Sequence, residues 1–492
     1  DVTYGSNTTA KPYDPAYPYA TIAAAVTAAT SGDLIWVRPG TYPVSTNLLK
    51  EGVSFYCDKG VTITNTSNMF NADTTAGGTT LTLPFFFLGH AILTDANAGG
   101  GGFIQIRTNP NAFINAEFDS VTSSNISNAM VIRDGTFNLK VRGNFTSAGR
   151  SFNFRDTGNL FATIDGIVTC TFGNNANAVI YSSGMTWDGV ASIKAKTFSV
   201  PAPTASQAVI WLDTVVNGKL TVDLDYYIDA SAVTFPFINL AAGTTTCQTI
   251  LNINFLNVGT RSLYSIADAD HKLFINAPVV TSAGGTCSAG LVVLNGGQYV
   301  TTATFLTSGG ISSFSNIGIN GSAASVVPAT ISSGTLNLIG TVLTTDGTDE
   351  SINQSGGTVV ALASNGTTRA SISAGIFTGT YLVNNTNTQQ IAGPIVHIGE
   401  QLLTGAGAVD LTSATTRLVT TGADALTLAN GTDGQEKYIF MDTFGGAGTL
   451  TPASSLGYTT ITFGADGDSV LLQFNSAAGA WIIKGSFGAV IA

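Results

Sequence analysis

The sequence predicts an all-β protein whose main body is a parallel β-helix, and three observations carry that reading. The first is a repeat: between residues 129 and 297 a two-strand unit returns about every 22 to 30 residues, the period of a stacked solenoid. Its first strand reads 129–134, 151–156, 178–181, 208–213, 235–239, 263–268 and 291–295, and its second begins at Phe137, Leu160, Ala191, Leu220, Leu251 and Leu273. The second observation is the alternation of apolar and polar residues along those second strands, which turns every other side chain toward a core. The third is composition. Only 10% of the 492 residues are charged and 56 are Gly, so the chain is rich in turns and lacks the charge that marks disorder.

Taken in order, residues 1–18 are polar and proline-rich and predict an extended N-terminal arm, suited to attachment. Residues 19–30 predict an alanine-rich helix with Ile22, Val26 and Ala29 on one face, stopped by Ser31 and Gly32. Strands follow over 33–64, and residues 65–112 read as irregular coils with an insertion, broken by the glycine run 99–102. The capped β-helix is expected to span 19–300. From 301 to 392 the repeat tightens to about 20 residues, marked by Ile311, Ile331, Ile352 and Ile372, which predicts a thinner β-prism. Small apolar residues there, such as Val326, Val327, Leu336 and Ile339, are expected to need neighbouring chains for burial, hence a homotrimer. Residues 393–492 give separated strands with turns between them and predict a compact antiparallel, sandwich-like C-terminal domain.

Two stretches carry a resemblance. The helix followed by "GDLIWVRPGTY" and "KEGVSFYCDKGVTI", within residues 19–64, resembles the opening cap and first coils of pectin-lyase-like right-handed β-helix proteins. That likeness implies a right-handed solenoid plugged by its helix. It does not choose among polysaccharide lyases, glycosidases, viral tailspikes and inert scaffolds. The string from "LANGTDGQEKYIFMD" to "AWIIKG" resembles carboxy-terminal modules of fibre and spike proteins of phages and large DNA viruses.

If coils stack about 4.8 Å apart, one outward column reads Arg142, Asp165, Lys196, Asp225, alternating in sign, and its neighbour reads Lys140, Thr163, Lys194, Asp223, Asn254, Asn276. A third column, Asp134, Asp156, Asp213, Asn239, Asp268 and Asn295, falls near the ends of first strands, where Asx side chains bond the turning backbone. Asp165, Asp223 and Asp225 are the candidate catalytic carboxylates. Lys194 and Lys196 precede them in the columns and would neutralise them, which favours a structural ladder. Trp187, Asp188, Tyr226 and Tyr227 are the candidate glycan-binding residues, because aromatic faces stack on sugar rings. Trp211 beside Asp213 offers a second such pair, with core packing as the other reading.

The remaining chemistry is sparse. None of the clustered Asp, Gly-His-Gly or Arg-x-Lys motifs of the polysaccharide-cleaving relatives is present, and His90, His271 and His397 fall in different regions without a Ser-His-Asp grouping. Cys57, Cys170, Cys247 and Cys287 are widely separated and read as single buried thiols. Residues 346–350 resemble half of a calcium loop and read as a solvated turn. No cofactor and no metal are expected. The net charge of -11 argues against a nucleic-acid or anionic-membrane partner, and the most apolar stretch, 81–93, is too short to span a bilayer and contains Pro84 and His90.

The leading expectation is a structural fibre or spike subunit at the surface or tail of a virus particle. It would be a homotrimer, joined to other virion proteins through the arm, binding a host surface glycan without cutting it. A polysaccharide-degrading tailspike and a secreted or cell-surface adhesin filament are the alternatives.

Overall fold

The computed structural model describes residues 5–97, 102–171, 178–182, 187–201, 208–212, 217–229, 233, 235–240, 246–321, 326–345, 350–366, 370–372, 375–383 and 400–492. The chain divides into two compact units, residues 1–392 and 393–492.

The first unit is almost wholly β, and its strands pair in parallel from coil to coil. A long ladder runs Leu34–Val37, Ser54–Cys57, Phe85–Asp95, Phe113–Ser123, Thr136–Val141, Asn159–Cys170, Val190–Ser199, Lys219–Ile228, Gln248–Asn257, Lys272–Asn276 and Leu291–Thr301. It continues without a break through Phe305–Gly321, Ala329–Ile339, Thr358–Gly366 and Ile376–Val383. A short ladder runs beside it through Phe70–Asp73, Ile104–Arg107, Met130–Ile132, Phe152–Phe154, Ile180–Ser182, Ile210–Leu212, Ile238–Leu240, Tyr264–Ile266 and Gly285–Cys287. These are the two strands of the repeat. One assignment changes: residues 291–295, expected in a first strand, pair with Lys272–Asn276 in the long ladder, and Gly285–Cys287 holds the short-ladder place.

Alternation sets which side is inside. Along Phe113–Ser123 and Asn159–Cys170, burial switches nearly every residue, and the inward positions of successive coils meet in one core. Phenylalanines dominate its early coils: Phe87 and Phe118 lie 5.3 Å apart between ring centroids, Phe145 and Phe152 5.4 Å. Each such ring contributes about 1.5 to 3 kcal/mol on burial. The irregular reading of 65–112 is too broad, since Phe70–Asp73 and Ile104–Arg107 pair in unbroken register and Phe85–Asp95 stays in its ladder with a register shift between Phe87 and Ile92.

The helix is shorter than its alanine-rich stretch. It spans Ile22–Ala28, with the Thr21 hydroxyl accepting from the Ala24 N–H at its start. Lys50 donates to the carbonyls of Val26 and Thr27 at its end, where a cation suits the helix dipole. Ile22 is buried, and Val26 and Ala29 pack on the solenoid core. The arm is not extended over residues 5–18: Ser6 N–H donates to Pro18 O, Lys11 N–H to Tyr17 O, and Asn7 accepts from the backbone of Ala20 and Thr21. Prolines and Asx bonds fold it into turns against the first coil.

Beyond residue 300 the small apolar residues are largely buried within their own chain, while Ile311, Val342, Leu362 and Ile376 are exposed. Leu336, Leu338, Ile331, Ile352 and Val359 are buried by their own chain and belong to the same core as the earlier coils, and only Ile339 of the expected set is exposed.

In the second unit two five-stranded sheets enclose one core of Leu418, Leu426, Ile439, Leu450, Phe463, Leu472 and Trp481, among others. Its expected antiparallel order holds for half of each sheet. Glu400–Thr404, Thr415–Val419 and Glu436–Thr443 pair in parallel, as do Gly407–Val409, Asp424–Leu428 and Gly448–Pro452. The hairpin formed by Ser469–Asn475 and Ala480–Phe487, and the strands Ile461–Phe463 and Val490–Ile491, then run antiparallel.

Candidate functional site

The long ladder carries an outward column that reads, in register, Glu117, Lys140, Thr163, Lys194, Asp223, Asn252, Asn276 and Asn295. Its upper half is a hydrogen-bonded chain. The Asn252 amide donates to Asp223 Oδ1 at 2.6 Å, Asn276 to Asn252 at 2.8 Å, and Asn295 to Asn276 at 3.4 Å. Each amide gives to one coil and receives from the next, which neutral side chains with both donor and acceptor can do indefinitely.

These residues line a shallow groove of about 440 Å³, together with Lys194, Asp225, Asn254, Pro278, Gly296 and Gly297. Gly297 has φ +94°, and a Cβ there would lie 2.4 Å from the Ala277 carbonyl, so the groove floor depends on its being glycine. Beside the groove, Tyr226 stands opposite Phe255, and both rings face solvent, 40% and 37% exposed. Amides, carboxylates, an ammonium and two open rings offer bonds to hydroxyls and contact to the apolar faces of sugars.

The expected residues separate into those that reach this groove and those that do not. Asp223 and Asp225 do. Asn254 lies in the groove but not in the Asp223 column, where Asn252 stands. Trp187 is fully buried: its ring lies 4.4 Å from Phe154 and its indole N–H donates to Gly158 O at 2.9 Å. Tyr227 is also buried, 4.6 Å from Phe237, with its hydroxyl on Asp229, and burial raises its pKa. Neither ring can meet a glycan. Asp188 is exposed but lies before Val190, which faces Lys219, whereas Tyr226 is seven residues beyond Lys219. Asp213, residues 346–349 and His397 lie outside the described residues.

The alternating ion column is also revised. Register slips between Ile164 and Ile167 opposite Ala195 and Thr197, so Asp165 and Gly166 form a bulge against Lys196. Arg142 turns the other way, to Glu117 and to Asp119 at 3.5 Å. Among the described residues no ion pair within 4.0 Å joins Arg142 to Asp165 or Lys196 to Asp225. The third column divides as well: Asn239 aligns with Trp211, and Asn295 joins the asparagine chain.

Sequence reasoning missed the role of Asn252 and Phe255, and it missed that His90 Nδ1 lies 3.0 Å from Asp119 at the start of the same flank. The cysteines are buried, and burial pushes the thiols of Cys57 and Cys247 up to about 12. Among the described residues no group of three or more His, Cys, Asp or Glu side chains is placed to hold a metal.

No family model matches the chain, and neither a curated protein nor a solved structure matches it.

Proposed function

We propose that this protein is a non-catalytic carbohydrate-binding solenoid, a trimeric fibre or spike subunit that attaches a virus particle to a host surface glycan. The observation that carries the binding reading is the asparagine groove with Tyr226 and Phe255 at its side. Its polar groups repeat at the coil spacing of about 4.8 Å, so a linear saccharide lying along the solenoid axis meets similar donors and acceptors repeatedly. Many weak contacts then add, and several chains multiply them into avidity.

The finer architecture belongs to the same proposal: a right-handed helix plugged at one end by Ile22–Ala28, a thinner prism beyond residue 300, and a terminal module of the fibre type. The viral setting rests on the two resemblances in the sequence, and attachment to other particle proteins falls to the N-terminal segment. Exposed apolar side chains of the second unit, including Leu402, Leu456, Phe487 and Val490, supply a surface that copies could share.

Cutting is the weaker reading. Asp223 already accepts the Asn252 amide, whereas hydrolysis needs one carboxyl to give a proton and another to attack or activate water. The test is to incubate the full chain with host surface glycans and measure retention and product release together. Retention that Tyr226→Ala and Asn252→Ala both weaken, with no new reducing ends, is the expected result. Product release abolished by Asp223→Asn or Asp225→Asn would replace binding with cleavage. A chain that sediments as a monomer would remove the trimer.

A further inference from the structure

A second outward face, on the short ladder, has a different chemistry. Arg107, Arg133 and Arg155 follow the paired residues Ile106, Ile132 and Phe154, so they occupy successive coils of one column; Arg133 N–H donates to Ile106 O and Arg155 N–H to Ile132 O, both at 2.9 Å. Arg150 reaches the same place from the other end of the Phe152–Phe154 strand, with its guanidinium 3.6 Å from the centroid of the Tyr181 ring. The chain carries a net charge of -11, yet four of its 19 basic residues gather here.

Like charges stacked about 4.8 Å apart repel. Arg155 lies within the electrostatic reach of both Arg133 and Arg107. Arg155 Nε also donates to Asn153 Oδ1 at 3.3 Å, and three carboxylates lie beside the stack. Asp73 is buried, accepts from Gln105 at 2.8 Å and faces Arg107 at 3.6 Å; Asp156 lies 3.0 Å from Arg133 Nε; Asp134 accepts from the Thr108 N–H and the Thr157 hydroxyl. Tyr181 leads to a half-exposed aromatic run on the following coils, Tyr181 to Trp211 at 6.4 Å and Trp211 to Phe235 at 5.6 Å. The Trp211 indole N–H has no acceptor among the described residues.

We propose that this arginine face binds an acidic saccharide. Its carboxylate or sulfate sits on the guanidiniums of Arg150 and Arg155, and its ring lies toward Trp211. Guanidinium forks match the geometry of planar and tetrahedral oxyanions. The aromatic run favours a sugar over a bare inorganic anion or an acidic protein.

The full chain is titrated at low salt with a uronate polymer, a sulfated polymer, a neutral dextran and inorganic sulfate. Binding to at least one acidic polymer is expected, stronger than to dextran or to sulfate alone, and weakened by added salt. The two acidic polymers separate a carboxylate ligand from a sulfate ester. Arg155→Gln and Arg150→Gln should each weaken binding about tenfold, with unchanged circular dichroism. Asn252→Ala, in the groove, should leave it as it was, so that failure of the groove reading and failure of this one are separable. No binding to either acidic polymer, or binding that both Gln variants retain in full, overturns the proposal. So does a preference for an acidic protein over both polymers.

Discussion

The two outward faces of the solenoid solve the same stacking problem in opposite ways. On the long ladder, Asp223, Asn252, Asn276 and Asn295 form a chain in which each amide satisfies the next. On the short ladder, Arg107, Arg133 and Arg155 repeat a charge, and that repetition is tolerated through Asp73 and Asp156 beside them. Repetition at the coil spacing is therefore self-satisfying for neutral groups that both give and accept, and costly for charges that only give. The neutral column can stand without a ligand. The charged one draws on the carboxylates beside it.

The largest expected effect tests what the arginine face rests on. Trp187 is packed beneath it on Phe154 and bonded to Gly158 O. Replacing it with Ala should lower stability by about 3 to 5 kcal/mol, read as a shift of the urea midpoint. A neutral outcome with lost glycan attachment would return Trp187 to the surface role first read for it.

A second test lies where the aromatic run meets the interior. Arg261 is buried with Asp229 in an ion pair, and it also donates to Phe235 O. Asp229→Asn leaves a buried guanidinium without its counter-charge and should cost about 3 kcal/mol. Arg261→Met added to it should recover much of that loss in the same urea titration. If the single and double variants unfold alike, the pair does not hold the charge in place.

Much of this architecture was legible in the sequence, and the parts that were not share a cause. Alternation in 136–141 and 159–164 placed Phe137 opposite Leu160 and Leu160 opposite Ala191, as the strands pair. Alternation has period two, however, so a slip of two residues leaves every side chain on its proper face. That is how Leu251 was set against Leu220 when Thr249 stands there, and how Asn254 displaced Asn252. A bulge such as Asp165–Gly166 is invisible to the same pattern. Aromatic type did not tell inside from outside either: Tyr226 and Tyr227 are neighbours, and only the first is exposed. The shortened coil at 285–295 hid a change of strand because Leu291 to Asn295 resembles the earlier first strands. The parallel half of the second unit was missed because strand order, unlike strand content, depends on long-range pairing.

A titratable group inside the solenoid gives a third test. His271 is fully buried, with neither ring nitrogen hydrogen-bonded among the described residues, and burial lowers its pKa. The unfolded chain takes up this proton near the ordinary value of about 6.5, while the folded one resists it. The unfolded state therefore binds more protons below that point, and stability should fall as the pH drops from about 6.5 toward the lowered folded value. His271→Leu should flatten that slope in melting curves taken across the range. An unchanged slope would place the acid sensitivity elsewhere.

The smallest expected effect addresses the comparison itself. Asn252→Asp converts one step of the neutral column into a charged one, setting a second carboxylate where the amide now donates to Asp223. The lost hydrogen bond and the new repulsion together should cost about 1 kcal/mol at low salt. Asn252→Ala loses the bond but adds no charge, so it should cost less. Because Asp223 is only partly buried, added salt should screen the repulsion and close the gap between the two variants. If instead Asp at position 252 is as stable as Asn at every salt concentration, shape rather than neutrality sets this column, and the contrast with the arginine face loses its physical basis. A gap that persists at high salt would mean that the groove holds its charges away from solvent, which would make Asp223 and Asp225 stronger candidates for chemistry than their open position implies.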